Sequence, residues 1–175
     1  MRKLLMAIVA VALFAGMAMA QLDVTGTVVI NAPVGGLFTM ALSGGPINYV
    51  GLVPGVTDNT KSVGITVRSN YKNADWVLQV HQNQLLTDGT ITESIPSTSF
   101  THSTTGAGVG LYADAAPTQF VTGTAATFYT CVPATEGKTT GLGLTFTQAL
   151  QLSIPVDQAA GAYTNTLTYT LTVNP

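Results

Sequence analysis

The strongest constraint on the fold of this chain is a two-residue alternation of apolar and polar side chains that recurs along most of its length. It is clearest near the end, where Tyr163, Leu167, Tyr169, Leu171 and Val173 occupy odd-numbered positions and threonines occupy positions 164, 166, 168, 170 and 172. Successive side chains of a strand point to opposite faces, so this spacing places one apolar row on one face. No stretch after residue 20 sustains a helical period, and the pattern therefore predicts an all-β protein.

Glycine, proline, asparagine and aspartate interrupt the alternation and predict turns between about eight to eleven short strands. Many short strands with regular turns are typical of an antiparallel β-sandwich, immunoglobulin-like or jelly-roll-like. We assign this sandwich to residues 37–175, with a strand at residues 47–53 and an exposed loop or frayed edge strand at residues 97–108. The predicted core row consists of Val63, Ile65, Val67, Trp76, Leu78 and Val80.

Residues 1–20 have the features of a secretory signal peptide. Arg2 and Lys3 precede an unbroken apolar run at residues 4–14, which is too short to span a bilayer. Ala18-Met19-Ala20 then offers the small-residue cleavage motif, with the cut expected before Gln21. The protein is therefore predicted to be secreted or held at the cell surface, with no membrane span after signal cleavage.

Residues 21–175 carry little charge, with four basic and eight acidic side chains and hence a net charge of about −4. The same residues include 28 threonines, which favour strands and present a hydroxyl that needs no counter-ion. This composition fits a threonine-coated secreted sheet protein, and it also fits a subunit that packs against copies of itself, where charge would repel. It argues against a nucleic-acid partner, because phosphate recognition needs clustered lysine and arginine.

The chain contains no constellation typical of catalysis, so we expect a non-enzymatic protein without a cofactor or a metal. His81 and His102 belong to no metal-ligand spacing, and we expect both to be exposed to solvent. The acidic residues lie mostly in predicted turns, where aspartate is common for local reasons. Two alternatives stay open: a calcium ion held by turn carboxylates, and an isopeptide bond between Lys61 and Asn165.

Cys131 is the only cysteine of the chain, so no disulfide can form within one subunit. It lies in the apolar stretch at residues 128–132, where a lone thiol behaves as a small buried hydrophobe. The alternative is a disulfide between two subunits, which an odd cysteine in a secreted protein permits.

Three stretches, at residues 47–55, 63–80 and 161–173, taken in order, resemble secreted bacterial surface sandwich domains of the WxL-like and pilin-like kind. The Trp-x-Leu signature of WxL domains is present once, as Trp76-Val77-Leu78, whereas the last strand has Tyr169 where such a domain places a second tryptophan. The resemblance implies association with cell-wall polysaccharide. As a monomeric wall-binding or glycan-binding module, the protein would stack sugars on exposed aromatic rings. The candidate rings are Tyr71, Tyr112 and Tyr129.

A second resemblance is to fibre subunits that assemble by strand donation. Residues 21–36 combine an alternating segment with the hinge-like sequence Ala32-Pro33-Val34-Gly35-Gly36. The resemblance implies that this segment leaves its own domain and completes the sheet of a neighbour in a fibre, pilus or surface layer. The alternative is that it pairs within its own sandwich. The predicted donor row is Leu22, Val24, Val28 and Ile30.

Overall fold

Antiparallel strands make up nearly all of the regular structure in the computed structural model, which describes residues 32–90 and 93–174. The predicted signal peptide (residues 1–20) lies outside the described residues, and so does the predicted donor row of Leu22, Val24, Val28 and Ile30.

The described residues form eleven strands, one short α-helix and one 3-10 helix at Ser97–Ser99. The first six strands are β1 (Phe38–Ser43), β2 (Thr57–Ser69), β3 (Asp75–Gln82), β4 (Leu86–Thr87), β5 (Ser94–Ile95) and β6 (Phe100–Gly106). The remaining elements are β7 (Leu111–Tyr112), β8 (Thr118–Gln119), β9 (Ala126–Thr130), α1 (Pro133–Glu136), β10 (Leu144–Ser153) and β11 (Leu167–Asn174).

Two main sheets pack against each other, and both are built from antiparallel pairs. The five-stranded sheet has the order β1-β2-β10-β6-β8, and the four-stranded sheet has the order β11-β3-β9-β7. A third, two-stranded sheet joins β4 to β5. All these strands belong to one compact unit, Gly35–Pro175. The predicted all-β antiparallel sandwich is therefore confirmed.

The core lies between the two main sheets, where the inward-facing apolar side chains of β2 and β3 are buried. Every member of the predicted core row is at most 6% exposed, and Trp76 is fully buried. The indole of Trp76 lies 5.5 Å from the ring of Tyr129 and 6.4 Å from that of Phe146, centroid to centroid. Large aromatic side chains in such contacts contribute much of the stability of a core. The prediction that Trp76 is a core residue is confirmed.

Two strand predictions are wrong. Residues 47–53 form no strand, although most of their side chains are apolar. Residues 97–108 are not an exposed loop or a frayed edge, because they contain the 3-10 helix and β6. Strand β6 pairs with β10 along Phe100–Gly106 and with β8 on its other side. Its serines, threonines and histidine predict a loop, but Asp114 and Gln148 supply hydrogen-bond partners for His102 and Thr104.

Candidate functional site

A cleft of about 1080 Å³, lined by apolar side chains and by polar ones such as Asn48 and Gln158, opens between the two main sheets. One wall is formed by the end of β1 together with β2, β6 and β10, and the opposite wall is formed by the beginning of β11. Leucine, valine, isoleucine and aromatic side chains from distant parts of the chain meet there, because each strand turns its apolar row inward. Among the side chains that line the cleft are Leu42, Val63, Leu150, Ile154, Leu167 and Tyr169.

The two strands that bound the cleft, β1 and β11, are edge strands. Within residues 32–90 and 93–174, no strand pairs with the outer side of either one. The inward side chains of β1 are poorly covered, and Leu42 is 49% exposed. Those of β11, including Leu167 and Val173, are only partly buried, whereas the matching row of β3 is fully buried. An edge of this kind offers unpaired backbone groups and apolar surface to another strand.

Residues 46–53, which we call the covering segment, lie along the cleft without joining either sheet. Ile47, Tyr49 and Leu52 pack against the core, while Asn48 and Val50 point outward. Among the described residues, no backbone-to-backbone hydrogen bond involves residues 44–52. The hydroxyl of Tyr49 is buried without a hydrogen-bond partner, and this burial raises the pKa of Tyr49 well above its ordinary value.

A polar network lies under the cleft wall and crosses between the sheets. His102 Nδ1 is 2.7 Å from Asp114 Oδ2, and the hydroxyl of Thr104 donates to the same oxygen at 2.7 Å. Gln148 Nε2 donates to Thr104 Oγ1, and Tyr169 on β11 donates its hydroxyl to Gln148 Oε1 at 2.7 Å. The side chains on β6 and β10 are thereby fastened to the opposite sheet through Tyr169, which also lines the cleft.

The prediction that His102 is exposed is wrong, because its side chain is only 5% exposed and its ring lies 4.3 Å from that of Phe120. His81 lies on the outer face of β3, away from Trp76, but it is partly buried. His81 Nδ1 is buried and has no hydrogen-bond partner. Neither ring is therefore the freely solvated histidine that the sequence predicts.

Glu136 carries a buried carboxylate, although it lies in a polar stretch of the sequence. Its Oε1 accepts hydrogen bonds from the hydroxyl of Tyr129 at 2.6 Å and from the backbone N–H of Val109 at 2.8 Å. Its Oε2 accepts the backbone N–H of Val132 at 2.8 Å. A four-residue helix, α1, presents this side chain to the core. The fold brings these donors together, and no sequence pattern around Glu136 predicts that they will contact it.

The proposed sugar-stacking residues do not form an exposed set. Tyr129 is fully buried, so the prediction that it is an exposed binding ring is wrong. Tyr112 is partly buried and packs edge-on against Tyr129 at 4.8 Å. Tyr71 alone of the three is well exposed, and it lies against Phe38. The geometry therefore favours the cleft over these rings as the functional site.

The acidic side chains and Asn165, which are the candidates for a metal ion and an isopeptide bond, have the following surroundings. Asp88, Asp114 and Glu136 are buried. Asp114 lies in a turn, as its sequence context predicts, whereas Glu136 ends the helix α1. The described residues contain no group of three metal-ligating side chains. The amide of Asn165 donates to Gln82 Oε1. No helix in the described part of the chain is both long and apolar enough to cross a bilayer.

Cys131 is buried as predicted. Its sulfur accepts the backbone N–H of Trp76 at 3.2 Å, and burial raises the pKa of the thiol. A thiol in these surroundings acts as a small core side chain.

Alkaline pH is expected to destabilise the protein. Burial raises the pKa values of Tyr49, Tyr112, Tyr129 and Tyr169, so the folded protein keeps these protons when the unfolded chain has lost them. Their contribution to stability is complete below the unfolded pKa of about 10, and the free energy of unfolding falls as the pH rises above that value. Urea unfolding between about pH 8 and pH 11, with tyrosinate absorbance as a second signal, measures the slope. The Tyr169→Phe variant should have a shallower slope, and a constant free energy across this range would contradict the prediction.

Comparison with known proteins leaves the geometry as the basis for assigning a function. No known protein-family model matches this sequence, and no curated protein matches it.

Proposed function

We propose that this chain is a secreted, non-enzymatic structural protein, a subunit of an extracellular fibre, pilus or surface layer that assembles by β-strand addition. The observation that carries the proposal is the cleft bounded by the edge strands β1 and β11, whose inward apolar side chains are only partly covered. An added strand would pair with an open edge and bury apolar side chains in one step. The resemblance to pilin-like and WxL-like surface proteins belongs to the same proposal.

The occupant that we propose is the segment of residues 21–31 from a second copy of the chain. Its apolar side chains Leu22, Val24, Val28 and Ile30 are spaced by multiples of two, which matches the pitch of a strand. Fully extended, the segment would reach about 36 Å. Asp23 is its only charged side chain, so little desolvation of charged side chains would oppose its burial in the cleft.

A second copy fits better than the chain's own segment because of where β1 begins. Asn70 hydrogen-bonds to Leu37 and to the carbonyl oxygen of Gly35, at the end of β1 that is remote from the cleft. From Phe38 to Ser43, where the cleft starts, the strand covers about 17 Å. Residues 32–34, which connect the donor segment to Gly35, reach only about 10 Å when extended. To reach the cleft of its own subunit, the segment would have to turn back alongside β1. Much of its length would then lie beside β1 and not in the cleft.

The small number of charged side chains also supports association between copies of the chain. Charged side chains make up 8% of the sequence, against about 25% in typical soluble domains. Copies with few charges repel each other weakly, and threonine-rich strand faces can pack without leaving unpaired ions. A protein of this composition is suited to the crowded interior of a fibre or a layer.

Polar substitution of the donor row is expected to abolish assembly. The mature protein should form filaments or sheets in electron micrographs, whereas a Val24→Asp, Val28→Asp double variant should remain monomeric, because two carboxylates would have to enter the cleft. The matched control is Thr25→Asp with Thr27→Asp, which adds the same charge to the opposite face and should still assemble. Sedimentation velocity measures the distribution of species in each case.

Two results would contradict the proposal. The first is that the mature protein stays a monodisperse monomer at high concentration and that deleting residues 21–32 changes nothing. The second is that the donor-row variant and its control assemble equally well, which would mean that association uses another surface.

A further inference from the structure

We infer that the covering segment, residues 46–53, is a displaceable wall of the cleft: it packs beside the acceptor position in the single subunit and moves aside when a strand from a second copy enters. This inference rests on the proposed function and deepens it, because it assigns a control on assembly to a part of the fold that belongs to neither sheet.

At residues 47–50 the covering segment has the alternating side-chain pattern of a strand but no backbone pairing with another strand of the described chain. Ile47 and Tyr49 point inward and pack against the core, while Asn48 points outward and Val50 is 80% exposed. Within the described residues, its backbone groups up to Leu52 make no backbone-to-backbone hydrogen bond. Side-chain contacts alone therefore hold it on the cleft, whereas an added strand would have both side-chain contacts and ladder hydrogen bonds.

Burial of the Tyr49 hydroxyl in the covering segment costs free energy because the hydroxyl has no hydrogen-bond partner. Three tyrosines line the cleft, and two of them use their hydroxyls: Tyr163 donates to Ala159 O at 2.8 Å, and Tyr169 donates to Gln148 Oε1 at 2.7 Å. The hydroxyl of Tyr49 is buried with no partner. A buried hydroxyl without a hydrogen bond opposes the buried position, so the covering segment is held less firmly than its apolar side chains suggest.

The ends of the covering segment are attached while its middle is not. On one side, Ser43 pairs with Gly64 in the ladder of β1 and β2, and Gly44 follows at a φ of +95°. On the other side, the N–H of Gly55 donates to Ile154 O at 2.9 Å. Glycine tolerates the positive φ values at Gly44 and Gly55 that other residues resist. The segment can therefore swing outward between two fixed points without disturbing either sheet.

Exchange of the covering segment for a donor strand would limit the rate of assembly. The incoming apolar row would take over the contacts that Ile47, Tyr49 and Leu52 make with the core. A subunit would thus stay soluble until a donor strand competes successfully for the cleft. Substitutions that loosen the covering segment should speed assembly, and substitutions that tighten it should slow assembly.

Opposite substitutions at Tyr49 test the inference. Tyr49→Ala removes inward contact and should raise the rate of assembly, measured by light scattering, whereas Tyr49→Phe removes only the unpartnered hydroxyl and should lower it, each by about fivefold or more. Val50→Ala, an outward neighbour, is the matched control and should leave the rate unchanged. Equal rates in all three variants, or slower assembly of Tyr49→Ala than of Tyr49→Phe, would overturn the inference.

Hydroxyl-radical footprinting of the unmodified protein gives a readout that does not depend on how the variants fold. A synthetic peptide with the sequence of residues 21–31 is the probe, and it should increase the oxidation of Tyr49 while it protects Tyr169. If the peptide binds, or filaments form, with Tyr49 still protected, the inference fails and the proposed function stands. If the peptide does not bind and no variant assembles, the proposed function fails and the inference fails with it.

Discussion

Replacing Trp76 by alanine is expected to lower the free energy of unfolding by about 3–5 kcal/mol. The indole is fully buried between the sheets, where it contacts the rings of Phe38, Tyr129 and Phe146. Its Nε1–H donates to the carbonyl oxygen of Glu136 at 3.2 Å. The substitution leaves a large cavity that strands from both sheets surround and cannot fill by local movement.

Urea unfolding followed by circular dichroism measures this loss. Trp76→Phe keeps part of the ring contact and should lie between alanine and the unmodified protein. Thr145→Ala, an exposed position next to the core residue Phe146, is the control and should change the free energy by no more than about 0.5 kcal/mol. A loss below about 1 kcal/mol for Trp76→Ala would mean that the sheets do not pack around this side chain.

Replacing Glu136 by alanine is expected to cost a similar amount, about 3–5 kcal/mol, for a different reason. The change leaves three donors without their acceptor: the buried hydroxyl of Tyr129 and the part-buried backbone N–H groups of Val109 and Val132. A buried donor that loses its partner costs about 1–3 kcal/mol, and a water molecule admitted to the site would recover only part of the total.

Two variants accompany Glu136→Ala in the same unfolding experiment. Glu136→Gln retains one acceptor oxygen but turns an amide N–H₂ toward a donor, so it should fall between alanine and the unmodified protein. Asp157→Ala removes an exposed carboxylate and should have an effect within about 0.5 kcal/mol. Equal stabilities of the Glu136 and Asp157 variants would show that the three donors find other partners.

The parts of the fold that the sequence predicts correctly are those where one face of a strand is wholly apolar. In β3, Trp76, Leu78 and Val80 alternate with polar or smaller residues, and a shift of one position would expose the whole row. The pattern therefore specifies the buried face without knowledge of the neighbouring strand. The lone thiol of Cys131 follows the same logic, because its apolar surroundings are adjacent in sequence.

The parts that the sequence misses are those where burial depends on distant partners. His102 and Thr104 look like loop residues until Asp114 and Gln148 are placed beside them. Glu136 looks like a turn residue until the fold brings its three donors together. Polar side chains can be buried when they are hydrogen-bonded, and a local pattern cannot reveal a partner that lies elsewhere in the chain.

For the covering segment the prediction is wrong in the opposite sense, because the sequence predicts regular structure where the fold has none. Ile47 and Tyr49 alternate with Asn48 and Val50, and this pattern predicts a strand at residues 47–53. The side chains do face the core as the pattern implies. A strand also needs a neighbour for its backbone, and the described part of the fold provides none there. The candidate site was therefore only partly predictable. The cleft lies between segments that are distant in the chain, and the alternation within each segment does not show that they become neighbours.

By itself, the sequence determined the all-β class, the row of side chains that fills the core and the burial of the single cysteine, because each depends on residues that are close together in the chain. Only the tertiary structure decided which polar groups are buried, which strands lie at the edges and where the cleft opens. Those properties depend on which strands become neighbours, and that choice is made by packing and hydrogen bonding across the whole chain.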